Sequence, residues 1–158
     1  MRLFLKNLLF TVLVPGTVAG WIPWILTMDA SAASGLWGLL SGILFALGGT
    51  IYSWCVWDFA TAGGGTPAPI DAPKKLVVRG LYRYVRNPMY VGVLCLLFGW
   101  VSLFHVIPLA AYTLLVGSAF QSFVFFYEEP KLRSLFGDDY VRYCKRVGRW
   151  LPKMRRGS

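Results

Sequence analysis

Long runs of apolar residues alternate with short polar segments along the whole chain. The runs extend roughly from Leu8 to Leu26, from Leu36 to Phe59, from Pro88 to Phe104, and from beyond Pro108 to about Tyr127. A helix of about 20 apolar residues is needed to cross a hydrocarbon core of about 30 Å. We therefore predict an all-α integral membrane protein with about four transmembrane helices.

Proline and glycine interrupt the first run at Pro15, Gly16, Gly20 and Pro23. Proline is tolerated in a membrane helix when neighbouring groups hydrogen-bond the carbonyls that it leaves free. We expect a kinked first helix that is retained as a span rather than cleaved.

The third and fourth runs are joined by a short connection around His105 to Pro108 that carries no Lys, Arg, Asp or Glu. So close a connection predicts that the last two spans form a helical hairpin. We expect the fourth span to end at Glu128 and Glu129, because Pro130 follows and the residue before a proline is disfavoured in a helix.

The residues after Glu129 predict a C-terminal amphipathic helix. Gly137 is expected to stop a first short helical segment, and Asp138 to begin the next. Beyond it the apolar residues recur every three or four positions, which predicts one buried face; they are Tyr140, Tyr143, Cys144 and Val147.

Composition and charge restrict the class and the orientation. The 158 residues are 56% hydrophobic with a mean hydropathy of +0.56, beyond the apolar share of a soluble domain. The net charge of +9 comes from basic residues at the N-terminus, between Thr61 and Arg86, and in the C-terminal tail. The positive-inside rule then places both termini and the main loop in the cytoplasm. The apolar bulk argues against nucleic acid as a partner, and the three cysteines show neither metal spacing nor a disulfide framework.

A basic and aromatic segment from Arg79 to Gly92 leads into the third span. Asn87 suits a helix N-cap, and Pro88 suits the first helical position. Such a helix start can bind a carboxylate or phosphate, but the segment can equally be an interfacial membrane anchor. Glu128 and Glu129 leave a parallel choice open: they bind a cationic group, or they form ion pairs with Arg83 or Arg86.

Three ordered motifs carry a resemblance to a known superfamily. The first is Gly80-x-Tyr82-Arg83-Tyr84-x-Arg86-Asn87-Pro88-x-Tyr90-x-Gly92, and the second is Glu128-Glu129. The third is Phe136-Gly137-x-x-Tyr140-x-x-Tyr143-x-x-Arg146-Val147, ending in Leu151-Pro152. Over roughly residues 63–152 the chain resembles the isoprenylcysteine carboxyl methyltransferase and phospholipid methyltransferase superfamily. The lead-in Gly65-Thr66-Pro67-x-Pro69 looks like its bacterial isoprenylcysteine methyltransferase-like branch.

The resemblance implies an S-adenosylmethionine-dependent methyltransferase that acts on a lipophilic, membrane-borne acceptor. Composition and the apolar runs predict a single domain over residues 1–158, with the first two spans up to residue 60. The resemblance implies that residues 61–158 form a cofactor loop, the hairpin and a C-terminal lid over the cofactor. Asn87 stands where the family has His, and Glu128 matches the carboxylate that holds the polar end of the cofactor, with Glu129 in support. The implied cofactor-binding residues are Lys74, Lys75, Leu76, Val77, Tyr82, Asn87, Pro88, Met89, Tyr90, Glu128 and Glu129.

One position departs from the family. Carboxyl methyltransferases have an arginine for the substrate carboxylate one turn before the first Glu, whereas this chain has Val124 there and Gln121 a turn earlier. Arg83 or Arg86 is a candidate replacement, so the substrate-binding candidates are Arg83, Arg86, Gln121 and Val124. No catalytic base is identified and no metal is expected.

Three alternative functions stay open. One is a phospholipid N-methyltransferase. The others, from different classes, are an NADPH-dependent membrane reductase and a non-catalytic membrane scaffold.

Overall fold

A computed structural model describes residues 11–63 and 76–153, and this part of the chain is helical. The helices are α1 (Thr11–Leu26), α2 (Gly35–Asp58), α3 (Pro88–Phe104), α4 (Ile107–Phe123) and α5 (Glu129–Arg146). Wider π-helical turns occur at Thr17–Trp21, Phe59–Gly63 and Val124–Glu128, and a 3₁₀ turn at Gly80–Arg83. The described ranges contain no strand, only an isolated parallel bridge between Val85 and Gly148. The all-α fold class is therefore confirmed for these residues.

Two continuous helical stretches are long and apolar enough to cross a membrane. They are Gly35–Thr61 with 27 residues and Ile107–Arg146 with 40 residues. Two further apolar helices, Thr11–Leu26 and Pro88–Phe104, are shorter.

Helices α2 and α3 pack antiparallel through a contact between two glycines. A Cβ atom on Gly48 would lie 2.7 Å from the carbonyl oxygen of Gly92, and one on Gly92 would lie 3.0 Å from that of Gly48. Phe45, which precedes Gly48 in α2, lies against Gly99, which follows Gly92 in α3. The two helices therefore run in opposite directions. Small residues let membrane helices approach backbone to backbone. The polar segment before α3 is thereby brought beside the end of α2.

Helices α3 and α4 form the predicted hairpin. Only His105 and Val106 separate them, and His105 ends α3 in the left-handed region with φ 54°. Tyr90 contacts Phe120 with ring centroids 4.7 Å apart, and Leu94 lies beside Gly117, which fixes the antiparallel order. The first turn of α3 consequently faces the last turns of α4.

Helix α1 is held by hydrogen bonds to carbonyls in its π-helical turn. Pro23 has no N–H, so it cannot donate to the carbonyl of Ala19 four residues earlier. The indole nitrogen of Trp100 donates to that carbonyl at 2.9 Å, and the Tyr112 hydroxyl donates to the carbonyl of Val18 at 3.0 Å. The carbonyl that Pro23 leaves free therefore accepts a hydrogen bond from α3, and α4 adds a second hydrogen bond to the same turn.

The expected end of the fourth helix at Glu128 and Glu129 is wrong. Both residues have helical dihedral angles, and the helix continues through Pro130. The π-helical turn Val124–Glu128 widens the helix just where the proline would clash with the preceding turn, so the chain continues without a break. Gly137, in contrast, leaves the helical region with φ 51° and ψ −127°, and it divides α5 as predicted.

The connections fall at opposite ends of the bundle. The backbone N–H of Ala33 donates to the carbonyl of Leu103 at 2.7 Å, so the α1–α2 and α3–α4 connections share one end. At the other end Arg79 pairs with buried Asp58 at the end of α2, at 3.0 Å. The basic segments before α3 and after α5 therefore lie together, away from the two weakly charged connections.

Candidate active site

The chain on either side of Asn87 is joined to the residues that follow α5. Helix α3 begins at Pro88 as predicted, but the Asn87 side chain makes no capping hydrogen bond. Its Nδ2 and its backbone N–H both donate to the carbonyl of Arg149, at 3.2 and 3.3 Å, and the Arg86 N–H donates to the carbonyl of Gly148 at 2.8 Å. The buried amide therefore ties α3 to the C-terminal segment instead of capping its own helix.

Glu129 is an ion-paired residue at the junction of α4 and α5. Arg86 lies 3.0 Å from its Oε1. Arg149 donates through Nε to Oε1 at 2.8 Å and through Nη2 to Oε2 at 2.7 Å. These hydrogen bonds raise the pKa of the Arg149 guanidinium above its usual value. Glu129 consequently links three separate parts of the chain.

Glu128, the neighbouring carboxylate, has a different environment. Its Oε2 accepts a hydrogen bond of 3.0 Å from the hydroxyl of Tyr90, in the first turn of α3. Within the described ranges it forms no ion pair with Lys or Arg. A partly buried carboxylate whose partner is a neutral hydroxyl retains the capacity to accept hydrogen bonds from a cation.

Tyr82 is buried in a neighbouring apolar cluster with Cys55 and Val77. Burial raises the pKa of its hydroxyl well above the usual value, so the group is a neutral hydrogen-bonding group that interacts with the thiol of Cys55. The Tyr143 hydroxyl donates to the backbone carbonyl of Tyr82 at 2.6 Å, which fastens α5 to the segment before α3. Val77 packs against the same residues.

Aromatic side chains form a wall beside the Tyr90–Glu128 pair. The Tyr90 ring lies against Phe120 and, on another side, 6.3 Å from the ring of Trp150. The indole nitrogen of Trp150 donates to Oε1 of Gln121 at 2.7 Å, joining the C-terminal segment to α4. The wall therefore surrounds the tyrosine that binds the Glu128 carboxylate, and aromatic faces of this kind can bind a cationic group.

The predicted site residues are only partly brought together. Asn87, Tyr90, Glu128, Glu129 and Arg86 form one polar cluster, to which Trp150 connects Gln121. The other predicted site residues in the described ranges are buried, packed in apolar clusters, or exposed at the surface. Pro88 and Val124 are buried, Met89 packs against the α2–α3 core, Leu76 packs against Tyr140 and Tyr143, and Arg83 is exposed. The predictions for Lys74 and Lys75 lie outside the described residues.

Sequence reasoning misses Arg149 and Trp150 as members of the cluster. In the sequence Arg149 groups with the basic face of the C-terminal helix, and Trp150 with a basic interfacial tail. The adjacent pair Arg149-Trp150 directly follows Gly148, and this glycine is the available signal of a change of structure. Arg149 contacts Glu129, 20 residues away in the sequence, and Trp150 contacts Gln121, 29 residues away, so spacing alone does not reveal these contacts.

Comparisons with known proteins give the family of the chain. The family described as "Phospholipid methyltransferase" matches residues 36–139, more than half of the 158 residues. The chain therefore belongs to the phospholipid methyltransferase family.

Curated plant relatives are similar to half of the chain. A "Probable protein-S-isoprenylcysteine O-methyltransferase" of Oryza sativa subsp. indica is 37% identical over 79 residues, covering 49% of this chain and 41% of the relative. "Protein-S-isoprenylcysteine O-methyltransferase B" of Arabidopsis thaliana is also 37% identical over 79 residues, covering 49% and 40%. The chain thus spans about two fifths of the length of these relatives. No solved structure gives a significant match.

Proposed function

We propose that the protein is an S-adenosylmethionine-dependent methyltransferase that acts on a lipophilic, membrane-borne acceptor. The observation that carries the proposal is the contrast between the two adjacent carboxylates. Glu129 is paired with two arginines, whereas Glu128 accepts only the Tyr90 hydroxyl among the described side chains. Glu128, which has no cationic partner among the described side chains, would pair with the ammonium or sulfonium that S-adenosylmethionine carries.

The residues of the chain have distinct tasks in this proposal. Glu128 would accept hydrogen bonds from the ammonium of the cofactor, and Tyr90 fixes the orientation of the carboxylate through its hydrogen bond. Glu129 fixes the junction of α4 and α5 through Arg86 and Arg149. The other cofactor-binding residues proposed from the sequence are Lys74, Lys75, Leu76, Val77, Tyr82, Asn87, Pro88 and Met89.

The proposed chemistry is a direct methyl transfer. S-adenosylmethionine, when bound, supplies a methyl group on a positively charged sulfur that is a good leaving group. The protein contributes by holding the cofactor and acceptor in line, and orientation of this kind can supply about 7–11 kcal/mol of the barrier. The rings of Tyr90, Phe120 and Trp150 would limit the access of water to the partly buried Glu128 carboxylate. No residue is assigned as a catalytic base.

We further propose that all four apolar helices cross the membrane, with both termini and the site in the cytoplasm. The α1–α2 connection carries Asp29 alone among charged residues, and the α3–α4 connection carries none. The basic segments lie at the other end of the bundle, which supports the orientation given by the positive-inside rule. Helix α5 then lies at the cytoplasmic surface as a lid, with its apolar face over the segment before α3.

The acceptor is proposed as a lipid or a lipidated molecule that enters from the bilayer. The names of the plant relatives favour isoprenylcysteine, and the family name favours a phospholipid. Val124 is completely buried and Arg86 is engaged by Glu129. Arg83 lies in a different groove. These positions favour an acceptor that is recognised without the family arginine, which is replaced by Val124 in this chain.

Calorimetric titration of the detergent-purified protein with S-adenosylhomocysteine tests the proposal, with NADPH titrated in parallel. We expect micromolar binding of S-adenosylhomocysteine alone. Glu128→Gln should weaken that binding by about 10- to 100-fold, because a hydrogen bond to a charged group contributes ~1.5–3 kcal/mol. Asp29→Asn, which alters an exposed carboxylate at the opposite end, is the matched control and should bind normally. Binding of NADPH alone, or unchanged affinity in Glu128→Gln, would contradict the proposal.

A further inference from the structure

A large groove separates the end of α5 from the segment that precedes α3. It has a volume of about 1420 Å³ and lies apart from the Tyr90–Glu128 pair. Its floor includes the buried side chains of Tyr143 and Val147, together with Leu76 and Phe136. The floor is therefore apolar and belongs to a packed cluster, which distinguishes the groove from an ordinary solvated helix face.

The rim of the groove is strongly basic. It carries five Lys or Arg side chains and one carboxylate, Asp139. Arg142 pairs with Asp139, and Lys153 donates to the carbonyls of Cys144 and Lys145 at 2.9 and 3.1 Å. The remaining three cations, Arg83, Lys145 and Arg146, have no acidic partner within the described ranges. Together with Lys153, whose acceptors are neutral carbonyls, these make four positive charges around the apolar floor without a carboxylate partner among the described residues.

Exposed apolar residues lie beside these charges. The Tyr84 side chain, which lines the groove, is 63% exposed, and Leu151, next to the lining residue Pro152, is 77% exposed. Aromatic and apolar side chains next to Lys and Arg are typical of a protein surface at the level of lipid headgroups. A free polyanion would match the rim but would leave the apolar floor and these side chains in water.

We propose that this groove binds the headgroup of an anionic phospholipid. The phosphate lies among Arg83, Lys145 and Arg146, and the glycerol and upper acyl carbons lie on the apolar floor. Basic clusters on amphipathic helices bind anionic lipids in this manner. A lipid in the groove contacts both α5 and the segment before α3, so it stabilises their association. The groove shares Leu76 with the residues proposed for the cofactor, but neither Tyr90 nor Glu128 lines it, and the test of the inference does not involve the cofactor.

Thermal unfolding in a neutral detergent tests the inference, using short-chain dihexanoyl phosphatidylglycerol as the probe. A ligand that binds the folded state but not the unfolded state raises the melting temperature as its concentration increases. The dependence of the melting temperature on ligand concentration therefore gives the affinity. We expect a saturable increase with phosphatidylglycerol and none with dihexanoyl phosphatidylcholine. Arg83→Gln and Arg146→Gln should each weaken the affinity about fivefold, as expected for one basic residue at a lipid surface.

Arg133→Gln is the matched control, because Arg133 is an exposed arginine of α5 that does not line the groove. It should leave the phosphatidylglycerol affinity unchanged. Equal affinity for phosphatidylcholine would overturn the inference, as would equal weakening in all three variants. Binding of inorganic phosphate as tightly as phosphatidylglycerol would also overturn it, since it would identify a free anion as the ligand. Without lipid, unchanged melting temperatures of the variants verify that the fold is intact.

Discussion

Arg149 and Glu129 form a two-point ion pair that closes the C-terminal segment onto the junction of α4 and α5. The two hydrogen bonds run parallel, from Nε and Nη2 to the two carboxylate oxygens. Their side chains are only 25% and 19% exposed, so the pair is less screened than a surface ion pair. Its removal should therefore affect the stability of the whole site.

Glu129→Gln should lower the free energy of unfolding by about 2 kcal/mol, because it leaves two partly buried arginines without a counter-charge. Equilibrium unfolding in detergent measures the change. Asp139→Asn is the control, since it breaks an ion pair with Arg142 that is mostly exposed and should cost less than about 1 kcal/mol. Equal losses in the two variants would show that the Glu129 pair has no special structural role.

Gly48→Ala should destabilise the contact between α2 and α3. The new Cβ would lie 2.7 Å from the carbonyl oxygen of Gly92 and 2.9 Å from the backbone nitrogen of Leu96, and backbone atoms cannot move aside. We expect a loss of about 1–3 kcal/mol in unfolding free energy. Gly49→Ala has no atom within 4 Å of the added Cβ and should be neutral or gain up to about 1 kcal/mol from helix propensity. A similar loss for Gly49→Ala would refute the close approach.

Trp100→Phe should cost about 1–2 kcal/mol, because the carbonyl of Ala19 loses its only cross-helix donor among the described residues. The cost should be smaller in a Pro23→Ala background, where residue 23 regains an N–H for the same carbonyl. Unfolding of the two single variants and the double variant gives the coupling energy, and the lost ring area cancels in this cycle. Additive effects would show that the indole does not compensate for the proline.

Ser31→Lys tests the orientation in the membrane. Ser31 is exposed in the α1–α2 connection, and the native lysines lie in the segments proposed to be cytoplasmic. An amine-reactive reagent that cannot cross membranes should label the Ser31→Lys protein in intact cells and leave the unaltered protein unlabelled. After permeabilisation both proteins should be labelled. Labelling of the unaltered protein in intact cells would reverse the proposed orientation.

Local chemistry makes part of the fold predictable. Pro88 marks the start of α3 because a missing N–H has no cost at the first helical position. The short connection at His105 predicts the hairpin, and Gly137 divides α5 because its φ of 51° is accessible to glycine. Each of these features depends on a residue and its immediate neighbours.

Other features depend on distant contacts and are not predictable from spacing. Pro130 remains inside a helix because a π-helical turn accommodates it. Asn87 uses its amide for Arg149 rather than for its own helix, since the C-terminal segment offers a free carbonyl 62 residues away. The sequence identifies Glu128 and Glu129 as a pair, but it does not separate the ion-paired residue from the one bonded to a tyrosine.

The closure of residues 148–150 onto the start of α3 has a consequence for biosynthesis. Glu129 leaves the ribosome 20 residues before Arg149, and Asn87 leaves it 62 residues before the carbonyl that it binds. Before Arg149 has been synthesised, Arg86 is the one described residue that can form an ion pair with Glu129. The contacts of Asn87 and Glu129 with Arg149 can form only after residue 149 has been synthesised. A chain that stops before residue 149 would therefore lack the hydrogen bonds that join the C-terminal segment to the start of α3 and to Glu129.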